Sequence, residues 1–441
     1  MLMNKEELFE ILLRWNLWGN LNLNFYPREI LNKIGSFLDF HGVKIIQGPR
    51  RAGKSSLLYL IMNNLLKDIP DKRFLYINFE DYALSSTELN PSTLDKFINV
   101  YEERVYSGND YFLFLDEIQN VKNWHNWVRT FIDTHNKGDI FISGSSSKLL
   151  NSEMAPLLTG RHINFEVLPF SFSELIKVRG LKTDGINLSK NKNILKSNLN
   201  EYIKYGGFPE VALVRSVNEY RANQILSQYA NDILFKDISL RYGILNIRIL
   251  KYISLYLSQN NGCATSIRGL QNSIESEFGN KSSTTTISNY LEYLMESYMI
   301  FEVKHFDYSI KKMIRKPVKY YFVDTGLRNA MWTSFTQDKG RLLENIVFLK
   351  LRSLYDEIYY WKGKKEIDFV CIKGRNLDLY NVSDVSDKKE IAKRELESFS
   401  DFPDGKTINK RYLITWDYEG KIEHNGLTVE ALPAYKFLLY D

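Results

Sequence analysis

The stretch Val43-Lys44-Ile45-Ile46-Gln47-Gly48-Pro49-Arg50-Arg51-Ala52-Gly53-Lys54-Ser55-Ser56 decides the fold. Its first five residues are a short, mostly apolar run, and Gly48 to Ser55 match G-x-x-x-x-G-K-[ST]. The residues from Ser55 to Leu66 read as a helix, so the motif joins a strand to a helix, the context its chemistry needs. Its glycines let successive backbone N–H groups curl around phosphate oxygens. The helix start adds the positive end of a dipole. Lys54 is then placed to reach the β and γ phosphates of ATP and the Ser55 hydroxyl to ligate Mg²⁺. Gly48, Pro49, Arg50, Arg51, Ala52, Gly53 and Ser56 complete the expected nucleotide-binding set.

Outward from this loop, apolar runs alternate with helical stretches: Val43–Gln47, Phe74–Phe79, Tyr111–Leu115, Ile140–Ser143 and Ile163–Leu168. Two short helices, Glu6–Trp15 and Arg28–Phe40, precede them. Short buried runs separated by helices predict βαβ crossovers and a parallel sheet, hence an α/β fold. The third run ends in Asp116-Glu117. A buried strand delivers both carboxylates to its C-terminal edge, where the phosphate loop also lies. Asp116 is expected to hold the Mg²⁺ shell and Glu117 to orient or deprotonate the attacking water. The fourth run leads through Ser143 into Gly144-Ser145-Ser146-Ser147. These hydroxyls either bond the γ-phosphate or the water, or cap the next helix. Arg161, in Leu158-Thr159-Gly160-Arg161, is a candidate to reach a neighbouring subunit's nucleotide; otherwise it is a surface arginine after a turn.

The order of phosphate loop, LFLDEIQN strand, ISGSSS strand, TGR and FSFSE resembles the AAA-type ATPases of archaea and bacteria, in the branch near the signalling NTPases. The resemblance implies an AAA-type core, a helical lid, a winged helix and a C-terminal domain similar to restriction-type nucleases. Tyr205-Gly206-Gly207-Phe208-Pro209-Glu210 resembles that branch's lid motif, which makes Gly207 and Pro209 candidate nucleotide contacts by resemblance. Gly-Gly and Pro also simply break a helix.

Lys281-Ser282-Ser283-Thr284-Thr285-Thr286 precedes a helical pattern with Ile287, Leu291, Leu294 and Met295 on one face. With an earlier helix, Ser266–Phe278, it reads as a helix-turn-helix or winged helix, and Thr284, Thr285, Thr286 and Asn289 are candidate DNA contacts. A basic cluster at Lys304, Lys311, Lys312, Arg315, Lys316 and Lys319 could engage phosphates. The alternatives are a winged helix that only packs domains together and a solvated charged face.

The tail contains YYFVDTG, then Gly340-Arg341-Leu342-Leu343-Glu344-Asn345, then Glu366-Ile367-Asp368-Phe369-Val370. In the nuclease pattern it resembles, Glu344 and Asp368 match the helix glutamate and strand aspartate. Asn381 and Ser383 stand where a Glu-x-Lys pair belongs. Metal-dependent cleavage needs carboxylates to hold the cation and a lysine near the water. A neutral pair makes this a degenerate site unless a lysine enters from Lys362, Lys364 or Lys365.

Composition bounds the rest. A chain of 441 residues with 44% hydrophobic and 25% charged residues fits several globular domains and excludes a disordered or fibrous one. Two cysteines, Cys263 and Cys371, and six scattered histidines exclude a disulfide framework and a zinc site. A charged N-terminus and the lack of a long apolar run predict a cytoplasmic protein with no membrane segment. A net charge of +5 permits an anionic partner without demanding one. The expected domains are 1–168 (N-terminal helices and ATPase core), 169–240 (lid), 241–316 (winged helix) and 317–441 (nuclease-like). The expected function is Mg²⁺-dependent ATP hydrolysis coupled to binding or remodelling of single- or double-stranded DNA, in a candidate homo-oligomer. The alternatives are a nucleotide-controlled switch that binds a protein partner, and an ATP-regulated DNA nuclease.

Overall fold

The computed structural model describes residues 3–16, 18–19, 25–65, 67–108, 110–134, 139–147, 160–214, 218–244, 246–279, 282–332, 338–403 and 408–440. Leu66, Leu158, Thr159 and Lys281, quoted above, lie outside them. The chain divides into two compact units, Met1–Leu168 and Pro169–Asp441.

In the first unit the five apolar runs become β1 (Val43–Gln47), β2 (Phe74–Asn78), β3 (Phe112–Asp116), β4 (Ile140–Gly144) and β5 (His162–Glu166). They pair in parallel in the order β2-β3-β4-β1-β5. Strand alternation sends Val43, Ile45, Leu113, Leu115, Ile140 and Ile142 into one core. Helices Lys5–Trp15, Pro91–Arg104 and Trp124–Thr134 contribute to that same core. Ile46, Phe74, Phe114 and Phe141 point to the other face and share a second core with helix Lys54–Leu60. Both faces are therefore dry, which is why these strands read as continuous apolar runs. Lys44 is the exception; its ammonium lies 2.6 Å from Asp139, so the buried charge is paired. The second N-terminal helix is only Ile30–Gly35, shorter than the periodicity predicts. It stops at Gly35-Ser36, where glycine's backbone freedom disfavours continuation.

The order places β4 between β1 and β3. The loop after β1 and the carboxylates after β3 therefore emerge from the same edge of the sheet, on either side of β4.

The second unit opens with helices Phe172–Val178, Gly185–Lys190, Lys192–Tyr205 and Pro209–Ala212. Helix Glu219–Asp232 follows and runs on through a widened helical segment, Ile233–Leu240. Then come helix Ile247–Gln259, β6 (Ala264–Thr265), helices Ile267–Phe278 and Thr284–Glu296, and β7 (Ile300–His305). After these stand helix Ile310–Arg315 and β8 (Val318–Phe322). β8 pairs antiparallel with both β7 and β6, so a seam between residues 316 and 317 would cut this small sheet. Helix Lys339–Leu354 leads to β9 (Glu357–Lys362), β10 (Glu366–Lys373) and β11 (Asn376–Val382), an antiparallel meander. Helix Lys393–Asp401 follows, and β12 (Ile408–Thr415) returns parallel to β11. β13 (Gly420–His424) and β14 (Leu427–Pro433) close the edge. Because β7 also pairs with β9, the described strands of this unit join into one nine-stranded sheet. No helix among the described residues is long and apolar enough to cross a membrane.

Candidate functional site

The phosphate loop is built by close backbone approaches. A Cβ at Gly48 would lie 1.9 Å from the carbonyl oxygen of Val167, so only glycine can leave β1 this way. Gly53 has φ +93°, the left-handed turn that hands the chain into helix Lys54–Leu60. Lys54 is buried; its ammonium donates to the Pro49 carbonyl at 3.1 Å and lies 3.4 Å from Glu117 Oε1. Arg28, from the N-terminal segment, clamps the loop from outside. It donates to the Ala52 carbonyl at 2.9 Å and to the Leu168 carbonyl at 2.6 Å. Arg50 pairs with Glu80 at 2.9 Å.

Asp116 closes β3 fully buried, and each carboxylate oxygen is held by a neighbouring strand. The Tyr76 phenol, from β2, donates to Oδ2 at 2.6 Å, and the Ser143 hydroxyl, from β4, donates to Oδ1. The chain then breaks sharply. Glu117 is left-handed (φ +53°), which ends the strand and turns its side chain toward Lys54. Its backbone N–H donates to Ser143 Oγ at 3.1 Å, and Gln119 Nε2 donates to its other carboxylate oxygen. Burial pulls the Glu117 pKa upward. Lys54, Gln119 and Arg50 outweigh it and hold the carboxyl below the usual glutamate range.

Lys54, Ser55, Asp116, Glu117 and Ser143 thus converge at one sheet edge. Ser143 sits between the two acidic residues as a bridge, not at a helix cap. Three participants, Tyr76, Asn16 and Arg28, escape sequence reasoning. Tyr76 lies within hydrogen-bonding reach of both Ser55 and Asp116, and its ring stacks on Tyr59 of the loop helix at 4.7 Å. Asn16 fixes the Tyr76 backbone by two hydrogen bonds, 2.7 and 2.8 Å. A tyrosine inside an apolar strand was the only signal for the first; nothing local marks Arg28. The donor set of one hydroxyl and one carboxylate suits Mg²⁺, which takes few protein ligands and completes its shell with phosphate and water. No cluster of three or more His, Cys, Asp or Glu side chains set to hold a metal ion occurs among the described residues.

Arg161 does not join this group. It precedes β5 at the Val43 end of the sheet, the edge opposite the loop, and its guanidinium pairs with Asp133 on the surface. Gly207 and Pro209 lie in the second unit. There Gly207 accepts from Phe170 N–H at 2.8 Å and donates to Asp324 at 2.6 Å, while Pro209 starts a short helix.

In the second unit, helix Thr284–Glu296 is capped by Ser283 and buries Ile287, Leu291 and Leu294, as the periodicity predicts. Thr284, Thr285 and Asn289 are exposed and Thr286 half-buried. Lys304, Lys311, Lys312, Arg315 and Lys316 are exposed too. Lys319 is a correction to the basic cluster, because strand β8 turns it inward, where it is buried. Its ammonium lies 2.8 Å from Glu366, 3.0 Å from Glu344 and 3.7 Å from Asp368. Burial disfavours the charge, yet Glu344 and its neighbours hold the ammonium well above the usual lysine range. Burial and Glu344 push Asp368 well above the usual aspartate range against the pull of Lys319. Asn381 and Ser383 play structural parts. Asn381 accepts from Asp368 N–H at 3.2 Å and donates to the Glu395 carbonyl and Ser398 Oγ. Ser383 N–H donates to the Ile414 carbonyl.

The chain is similar to known proteins along most of its length. The AAA domain family matches residues 41–176, and a domain of unknown function (DUF8612) matches residues 196–339. The uncharacterized protein MJ1544 of Methanocaldococcus jannaschii is 34% identical over 413 residues, spanning 90% of this chain and 88% of its own. An uncharacterized protein of Haemophilus influenzae is 31% identical over 402 residues, spanning 90% and 95%. Among solved structures, the Walker-type ATPase PABY2304 of Pyrococcus abyssi aligns with 70% of this chain and 96% of its own, at 16% identity and a TM-score of 0.46. With identity above 30% along nearly the whole of both curated relatives, the chain belongs to the same family as these archaeal and bacterial proteins, and its residues 41–176 form an AAA-type P-loop ATPase core.

Proposed function

We propose that the protein is a Mg²⁺-dependent ATPase whose nucleotide cycle acts on a DNA-binding second unit. The observation that carries the first half is the convergence of Lys54, Ser55, Asp116 and Glu117 on one sheet edge. Lys54 exchanges its Pro49 and Glu117 partners for phosphate oxygens. Ser55 and Asp116, positioned by Tyr76, hold the cation. When bound, Mg²⁺ neutralises charge developing on the transferred phosphoryl group. Glu117 orients the attacking water and takes its proton. Arg161 stands outside this set; a role in trans needs a second copy of the chain.

Lys54→Ala is expected to lower ATP hydrolysis by at least about 10²-fold, the scale of losing one preorganised charge at the transferring group. Steady-state phosphate release measures it. Retained hydrolysis would remove the site assignment.

The DNA half is supported by the order helix, β6, helix, helix, β7, helix Ile310–Arg315, β8, the order of a winged helix with one short helix inserted between its last two strands, and by the exposed Thr284, Thr285 and Asn289 at the start of helix Thr284–Glu296. The exposed Lys311, Lys312, Arg315 and Lys316 stand between its last two strands, where a wing lies. Replacing these four by Gln is expected to flatten the slope of log affinity against log salt by about 3–4 for duplex DNA. Titrations at several salt concentrations measure this, with hydrolysis rates taken with and without single- and double-stranded DNA. An unchanged slope removes the wing contact. Hydrolysis indifferent to DNA favours instead a switch that recognises a protein.

A further inference from the structure

We infer that Lys319 is a built-in counter-ion, standing where the Glu344–Glu366–Asp368 cluster would otherwise bind a divalent cation, so that the C-terminal module takes no metal. The resemblance to restriction-type nucleases implies a metal held by Glu344 and Asp368. The residues present do not fit that role.

The centre of the cluster is already filled. The Lys319 ammonium lies 2.8 Å from Glu366 Oε1, 3.0 Å from Glu344 Oε1 and 3.7 Å from Asp368 Oδ1, with its side chain 2% exposed. An ammonium carries three donors, and here three carboxylates surround it. The Glu366 and Glu344 contacts are at hydrogen-bond spacing and Asp368 at ion-pair range, all wider than the ~2.0–2.6 Å at which Mg²⁺ or Ca²⁺ binds oxygen. Nor can the lysine easily withdraw. Its backbone sits in mid-sheet, opposite Ala264 of β6 on one side and Val303 of β7 on the other.

Each carboxylate has a further partner, the one on Glu344 sharing Oε1 with Lys319. Tyr321 OH donates to Glu344 at 2.5 Å, Val382 N–H donates to Asp368 Oδ2 at 2.8 Å, and Lys362 lies 3.1 Å from Glu366 Oε2. The module is held together here by a buried cation and its anions. Such an arrangement is intolerant of losing the central charge, because it leaves three half-buried carboxylates close together without their counter-ion.

The test is Mn²⁺ binding to the nucleotide-free full chain, read from the electron paramagnetic resonance signal of free Mn²⁺. The proteins compared are wild type, Asp368→Asn, Lys319→Met and the Lys319→Met/Asp368→Asn double variant. Any Mn²⁺ at the phosphate loop is common to all four and cancels. Wild type and Asp368→Asn should bind the same number of equivalents. Lys319→Met should bind one more, and the double variant should lose it again. Folding of Lys319→Met only when Mn²⁺ is present supports the same reading. A Mn²⁺ equivalent that wild type loses on Asp368→Asn overturns the inference, as does a folded Lys319→Met that binds no more than wild type. Should Lys319→Met fold under no condition, wild type against Asp368→Asn decides alone: equal stoichiometry upholds the inference and a lost equivalent overturns it.

Discussion

Glu117→Gln is expected to slow ATP hydrolysis by about 10²–10⁴-fold, the usual contribution of a positioned base, while ATP still binds. The geometry separates the two effects. Glutamine keeps the size of the side chain, and the left-handed backbone that aims it comes from Glu117's place at the end of β3. The charge 3.4 Å from Lys54 disappears, so the ammonium loses a competitor to phosphate and ATP affinity holds or rises. Proton transfer from water has no acceptor left. Because Lys54, Gln119 and Arg50 together hold the wild-type carboxyl below the usual glutamate range, the base stays ionised through neutral pH. Its contribution to the rate falls away only as pH drops below that range. Single-turnover hydrolysis beside equilibrium ATP binding measures both. A variant that turns over at the wild-type rate would assign water activation to another group.

What the sequence reveals about this site follows from locality. The phosphate loop is contiguous and needs glycine for steric reasons that hold in any fold, as the 1.9 Å approach of Gly48 to Val167 illustrates. Asp116-Glu117 is legible because a strand buried on both faces has to end in something polar at its functional edge. Tyr76, Arg28 and Lys319 are different. Each acts on residues far away in sequence, and each looks ordinary where it stands: a strand tyrosine, an arginine before a helix, one lysine in a basic run. Lys319 escapes a linear reading for a definite reason. Counting charges along the chain ignores the period of two in β8, which turns Lys319 and Tyr321 together onto Glu344. The β8 pairing with β6 and β7 is hidden for another reason: YYFVDTG reads equally well as the start of a new module.

Asp324→Ala is expected to destabilise the second unit by about 3–9 kcal/mol at pH 4, from three unpaired buried donors at about 1–3 kcal/mol each. Asp324 is buried and ties two motifs the sequence treats separately. Its Oδ2 accepts from Gly207 N–H at 2.6 Å, its Oδ1 from Leu327 N–H at 2.8 Å, and Gly326 N–H adds a third bond. The approach is so tight that a Cβ at Gly206 would lie 2.0 Å from the carboxylate, and one at Gly326 would lie 2.1 Å from the Tyr205 carbonyl. The glycines of YGGFPE and of DTG therefore share one function, letting helix Lys192–Tyr205 end against helix Thr325–Met331. Burial pushes the Asp324 pKa up from 3.8 to about 6, over the opposing backbone N–H groups. A raised carboxyl pKa means the folded state holds its proton longer than the unfolded chain does. That stabilisation is complete below about pH 4 and is lost as pH rises through about 6. The gap between wild type and Asp324→Ala should accordingly narrow by up to about 3 kcal/mol between pH 4 and pH 7. Hydrogen exchange at the Gly207 and Leu327 amides, followed across that range, reads the clasp itself. Equal protection in the two proteins at pH 4 would show that Asp324 does not hold the two motifs together. A gap that widens with pH would mean that the ionised carboxylate, not the neutral one, is the form the folded unit prefers.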